Sequence, residues 1–248
     1  MIALALAVWT ASGFSGPASV AYDEASAALY VSNSGAGTVS KLDLSGKVLK
    51  NDWVAGLRSP KGLAACGGKL FVASGDELAV VGLAKGKIEK RVKAPRAVSL
   101  EDVAVDGKCV PYASDASKNA IYRFASDGLV WLDGPALDSP RGLRLEGGRL
   151  VSASGKLQSY DLATKKLQVM NGPAGGLVGL ERHKTWWLAT DQTNGTLLRS
   201  APNGVTTVVL HGLEEPADIL VLPAKGWLLL PERKKGTLSA YKLSEVAP

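Results

Sequence analysis

Apolar residues recur along this chain in short runs separated by turn-forming residues, at lengths that suit strands and fall short of helices. The densest runs end in a small polar or acidic residue: Leu29-Tyr30-Val31-Ser32-Asn33, Leu70-Phe71-Val72-Ala73-Ser74, Val110-Pro111-Tyr112-Ala113-Ser114-Asp115, Leu150-Val151-Ser152-Ala153-Ser154, Trp187-Leu188-Ala189-Thr190-Asp191 and Leu228-Leu229-Leu230-Pro231-Glu232. Near-continuous apolar runs of this kind predict strands buried on both faces. Alternating segments such as Thr38–Leu42, Ala120–Phe124 and Thr237–Tyr241 follow and predict a further strand with one polar face. Turns such as Ser45-Gly46, Ser126-Asp127-Gly128 and Pro202-Asn203-Gly204 then lead into a fourth.

Each dense run is preceded by a second recurring segment, led by Pro or Leu and running into an apolar strand. The six copies begin at Pro17, Pro60, Leu100, Pro140, Leu177 and Pro216, spaced 37 to 43 residues apart. A fixed period near 40 residues with four strands per repeat is the pattern of propeller blades. The chain is therefore read as all-β, a six-bladed β-propeller forming one domain over residues 1–248. The sixth repeat runs out after its third strand, while the apolar segment Ile2–Trp9 is left over at the other end. That segment predicts a strand that closes the last blade and removes an open edge. The competing reading, the apolar part of a secretory signal, lacks a preceding Lys or Arg.

Composition changes little. Hydrophobic residues at 46% and charged residues at 21% exclude a disordered chain, and no apolar stretch reaches the length of a membrane span. The net charge of +6 permits anionic partners, but the basic residues sit mainly in expected hairpin tips, Lys85-Gly86-Lys87, Lys165-Lys166 and Arg233-Lys234-Lys235. Cys66 and Cys109 fit no metal or redox spacing and leave two alternatives, one disulfide or two free thiols. His183 and His211 have no partner cluster, the tryptophans read as packing residues, and Trp186 is the one expected to turn outward toward a ligand or partner.

Four segments carry a family resemblance: G-F-x-G-P-x-S-V-x-Y-D at Gly13–Asp23, L-Y-V-S-N at Leu29–Asn33, G-L-x-x-P-K-G-L at Gly56–Leu63 and L-D-S-P-x-G-L at Leu137–Leu143. In order and spacing the chain resembles the regucalcin/gluconolactonase (senescence marker protein) family of six-bladed propellers, its bacterial exported branch in particular. The resemblance implies a periplasmic or secreted protein, with a cytoplasmic location left open. It also implies one divalent cation, usually calcium, in the central funnel, and hydrolysis of sugar lactones. A hard cation needs several oxygen ligands, and once bound it stabilises a developing oxyanion.

Transferred residue by residue, that cation site comes apart. Its four positions fall on Ala18, Glu101, Arg141 and Val178, which leaves one oxygen donor and introduces a permanent cation. A guanidinium about 5 Å from a divalent ion would cost roughly 7 kcal/mol at an effective dielectric near 20. The expectation is therefore no cofactor, with Arg141 standing where the metal would be and pairing with Glu101. The leading functional reading is a gluconolactonase-like propeller with a degenerate metal site, a monomer that binds a small molecule or protein at its funnel. Candidate binding residues are Lys61, Arg141, Asp115, Asp218 and Glu232.

An alternative is a lactone or ester hydrolase that uses calcium or another divalent cation in a relocated carboxylate cluster, with Glu101, Asp102 and Asp191 as candidate catalytic groups beside Asp115 and Asp218. A second alternative is an NHL-type propeller whose Lys61 and Arg141 anchor phosphates, although nucleic acid is not the expected partner. No nucleophile elbow, phosphate-cradling glycine loop or dinucleotide fingerprint is present.

Overall fold

The computed structural model describes residues 5–125 and 127–248; Ser126, named in one of the turns above, lies outside them, as do residues 1–4 of the expected closing strand. Six four-stranded antiparallel sheets follow one another along the chain. Five are built from consecutive strands, over residues 17–54, 60–93, 103–133, 143–174 and 177–210. The sixth takes three strands from residues 220–242 and its outermost strand from the other end of the chain, Ala7–Ser12. The fold is a six-bladed β-propeller.

The closing strand thus forms where one was expected but sits further along than Ile2–Trp9. It pairs with Thr237–Lys242, with Trp9 opposite Ala240 and Ser12 opposite Thr237. An outermost strand needs only one buried face, so alternation governs it rather than an apolar run. Trp9 and Ala11 face inward, Val8, Thr10 and Ser12 face solvent, and the Trp9 ring meets Trp227 edge-on at 6.1 Å. After the last strand, Leu243–Val246 forms a helical turn whose Leu243 and Val246 pack between blades 5 and 6.

Apolar side chains of the described residues collect in six clusters, one between each pair of neighbouring blades. This is why the second strands read as continuous apolar runs: both faces of every blade are covered. Tyr30, Tyr122, Tyr160 and Leu150 are fully buried within these seams.

The open choice over the cysteines is resolved. Cys66, at the end of the first strand of blade 2, is bonded to Cys109, in the loop joining the first two strands of blade 3, with Cα atoms 5.6 Å apart. The bond fastens two neighbouring blades on the side of the ring where their first strands end. It closes a loop with a sequence separation of 43, for which chain entropy gives about 4 kcal/mol of stabilisation. Replacing both cysteines by serine should lower the unfolding free energy by about 2–4 kcal/mol in a denaturant titration; an unchanged midpoint would contradict this.

Candidate funnel site

The ladder between the first and second strands is irregular at the same place in every blade. In blade 1 Pro17 faces Asn33 and Ser19 faces Ser32, which leaves Ala18 unmatched. In blade 5 Leu177 faces Asp191 and Gly179 faces Thr190, leaving Val178. In blade 3 Glu101 N–H donates to Ser114 C=O while Ser114 N–H donates to Asp102 C=O, so two residues oppose one. Blade 4 repeats this with Arg141, Gly142 and Ala153. The ladder of blade 2 slips between Pro60 and Leu63, and blade 6 keeps only a Pro216–Glu232 bridge before Leu220. The first strands of blades 3, 4 and 6 accordingly begin at Val103, Leu143 and Leu220, later than the segments at 100, 140 and 216 predict. A bulge re-aims a side chain. Here it turns the second residue of each opening segment toward the axis.

Those six residues, Ala18, Lys61, Glu101, Arg141, Val178 and Ala217, all line one axial funnel. Asp102 and Asp218 line it as well, and Gln192 and Arg233 reach it from the turns that follow the second strands of blades 5 and 6. The cavity is small, about 50 Å³. Pockets that enclose whole small molecules run to about 300–1,000 Å³, so this one fits a head group.

Its charges are arranged differently from the expectation. Glu101 pairs with Lys61, Nζ to Oε1 at 2.6 Å, and the same Nζ donates to Ser99 Oγ at 3.2 Å. The predicted Glu101–Arg141 pair does not form. Gly62 explains the preference: its N–H donates to Glu101 C=O at 2.9 Å, and a Cβ there would collide with the Cα of Asp102. The missing side chain lets blade 2 approach blade 3 and brings Lys61 to the carboxylate. Arg141 is exposed and has no carboxylate partner among the described residues. Arg233 offers Ser34 Oγ only a long contact of 3.4 Å, and its buried Nε has no partner.

The lining also includes two carboxyls on opposite sides of the axis, Asp102 buried and Asp218 half-buried. Asp102 accepts from the Val103 and Leu143 amides, both at 2.7 Å, and Asp218 accepts from Ser19 Oγ at 2.8 Å. Ser19 Oγ in turn accepts from Leu63 N–H at 3.2 Å. Burial, and secondarily the charge of Asp218, raises Asp102 well above the usual carboxylate range. Burial lifts Asp218 from 3.8 to about 7. Glu181, ion-paired with Arg144, is pushed up from 4.5 to about 7 by burial, with the Arg144 charge opposing.

The remaining candidates hold turns. Asp115 accepts from the Val98 and Ser99 amides at 2.7 and 3.2 Å and caps the following turn through Lys118 N–H at 3.1 Å. Asp191 takes Asn194 N–H and Nδ2, and Glu232 takes Glu214 N–H at 2.7 Å and Lys235 Nζ at 2.9 Å. Trp186, expected to turn outward, donates Nε1–H to the C-terminal Pro248 carbonyl at 3.0 Å and lies under Arg199. No group of three or more His, Cys, Asp or Glu among the described residues is placed to hold a metal. The site that the resemblance implies does not fit a cation: Ala18 and Val178 lack donor atoms, Arg141 is cationic and Glu101 is engaged by Lys61.

Gln192, Arg233, Ser19 and Glu181 escape the sequence reading. For the first two a signal existed, since each directly follows a second-strand end, Asp191 and Glu232. In sequence Arg233 belongs to the expected solvated tip Arg233-Lys234-Lys235, of which only Lys234 and Lys235 are exposed.

A raised acid binds more protons in the folded than in the unfolded chain, so it stabilises at low pH and that contribution fades as pH rises through the folded value. Asp218 and Glu181 therefore predict a melting temperature that falls between about pH 5 and pH 8. Asp218→Asn should flatten the fall; a melting temperature that rises over this range would contradict the assignment.

No protein-family profile and no curated protein sequence matches the chain. Solved structures do match it over nearly its whole length. A gluconolactonase from Xanthomonas campestris superposes with a TM-score of 0.75 at 14% identity, covering 96% of this chain and 87% of that one. A virginiamycin B lyase from Staphylococcus aureus gives 0.68 at 11% identity, covering 95% and 98%, and a streptogramin B lyase gives 0.69 at 14%, covering 95% and 87%. At such identities the likeness extends to the fold alone: this chain shares the propeller architecture of these proteins.

Proposed function

We propose that this protein is a binding propeller on a gluconolactonase-like scaffold, one whose funnel takes the anionic head group of a small molecule in place of a metal ion. One observation carries the reading. Among the described residues Arg141 and Arg233 line the funnel without a carboxylate partner, while Glu101 is neutralised by Lys61. Two unpaired guanidiniums facing one small cavity favour a carboxylate or phosphate, which they can bind with paired donors. Hydrolysis of a lactone or ester would need Asp102 or Asp218 to exchange protons with a substrate. Their engagement by backbone amides and Ser19 favours a structural role for them.

The Cys66–Cys109 disulfide supports a periplasmic or secreted location, because structural disulfides persist in oxidising compartments. Inorganic phosphate at low ionic strength should raise the melting temperature, since a ligand of the folded state stabilises by mass action. Arg141→Ala and Arg233→Ala should each weaken phosphate binding about tenfold or more, as expected for a charged hydrogen-bond partner. Stabilisation by calcium with none by phosphate would overturn the proposal.

A further inference from the structure

The positive charge of the chain is concentrated on one edge of the ring. Lys85, Lys87, Lys90, Arg91, Lys93 and Arg96 stand within one short segment against the single acid Glu89. That excess of five supplies most of the net charge of +6, and the rest of the chain is close to neutral. The segment is the outermost strand of blade 2, Lys87–Lys93, with the turn before it and the loop after it.

A bulge in this strand sets what it exposes. Lys90 lies opposite Val80 and Ile88 opposite Val81, which leaves Glu89 unmatched. The extra residue turns the strand over, so Ile88 packs into the seam with blade 1, Val92 into the seam with blade 3, and Glu89, Lys90 and Arg91 are all exposed between them. The one acid is taken by Lys69 of the same blade, and Arg91 pairs with Glu77. Lys85, Lys87 and Arg96 are exposed and have no carboxylate partner among the described residues, and Lys93 meets Asp76 only at 3.8 Å.

Lysines on an open edge also deter strand pairing. That need applies to all six outermost strands, yet the other five, Ala7–Ser12, Val48–Val54, Gly128–Asp133, Leu167–Ala174 and Thr206–Leu210, carry only Lys50, Asp52 and Asp133 between them. Edge protection therefore does not account for blade 2.

The shape of the row selects the partner. At about 3.3 Å per residue the strand is about 20 Å long and a single strand wide, a line of charge and not a flat face. Firm seating on a membrane needs apolar side chains beside the cations, and Ile88 and Val92 are turned into the seams. A nucleic acid strand needs aromatic rings on which its bases stack. Residues 84–99 include none, and Trp53, which lies against Gly86, is engaged by Tyr30 at 4.7 Å and Lys41 at 5.9 Å. A linear chain whose charges repeat along its length, and whose rings require no stacking, meets the row as it stands. We infer that the outer edge of blade 2 binds an acidic polysaccharide, through carboxylates spaced along the polymer, at a site separate from the funnel.

The test is calorimetric titration of the full chain with polygalacturonate, a thymidine oligomer and phosphatidylglycerol vesicles. Polygalacturonate should bind most tightly of the three, with an affinity that falls steeply as salt rises. Lys85→Gln, Lys87→Gln and Arg96→Gln combined should weaken it about tenfold or more and flatten its salt dependence. The same loss of charge on blades 5 and 6, Lys184→Gln with Lys225→Gln and Lys234→Gln, should leave the affinity within about twofold. All six positions are exposed, so both triple variants should keep the wild-type melting temperature. Arg141→Ala should leave polygalacturonate binding unchanged, which separates this site from the funnel. Absence of polygalacturonate binding at low salt, equal losses in the two triple variants, or tighter binding of the oligomer or the vesicles would overturn the inference.

Discussion

Six sheets packed around one axis must bring six chain segments into a space too narrow for six side chains of ordinary size, and this crowding governs the rest of the structure. The bulge in each opening segment is the response. It sends one residue toward the funnel and the next against the neighbouring blade. At that next position stand Ser19, Gly62, Asp102, Gly142, Gly179 and Asp218. The glycines are there because a neighbour's backbone occupies the place of their Cβ: a Cβ on Gly179 would lie 2.8 Å from the Ala217 carbonyl oxygen. The polar three reach across and bond the adjacent blade, Ser19 to Asp218 and Asp102 to the Leu143 amide.

The same constraint sets the chemistry. Side chains that join blades at the funnel are drawn away from water, so Asp102 and Asp218 are raised by burial and are occupied by hydrogen bonds. Chemistry open to solvent is left to the ring of second residues, where Lys61, Glu101 and Arg141 stand on three consecutive blades and neutral Ala18, Val178 and Ala217 on the other three. With Glu101 given to Lys61, the residual field of that ring is positive. A scaffold whose resemblance implies a cation site thus presents cations of its own at that place.

Much of this was legible in the sequence because it depends on period. The spacing of Pro17, Pro60, Leu100, Pro140, Leu177 and Pro216 predicts the six blades, and the family resemblance implies a funnel position for Ala18, Glu101, Arg141 and Val178, which line one funnel in the structure. What escaped depends on contacts between repeats. Glu101 has a cation on each side, Lys61 and Arg141, and the choice turns on the close approach allowed by Gly62. The joining of Cys66 to Cys109 depends on two loops meeting between blades 2 and 3, which no spacing encodes. Arg233 reads as one of three basic residues in a hairpin tip, and only its place directly after a second strand turns it inward. The closing strand reads from its apolar content as Ile2–Trp9, whereas alternation and pairing with Thr237–Lys242 put it at Ala7–Ser12.

The central claim is that the funnel binds anions and not metal ions. Anomalous diffraction from crystals soaked separately in selenate and in a lanthanide tests it directly. The account predicts a selenium peak in contact with the guanidiniums of Arg141 and Arg233 and no lanthanide peak in the funnel. A lanthanide held by Glu101, Asp102 or Asp218, with the funnel empty of selenate, would contradict it.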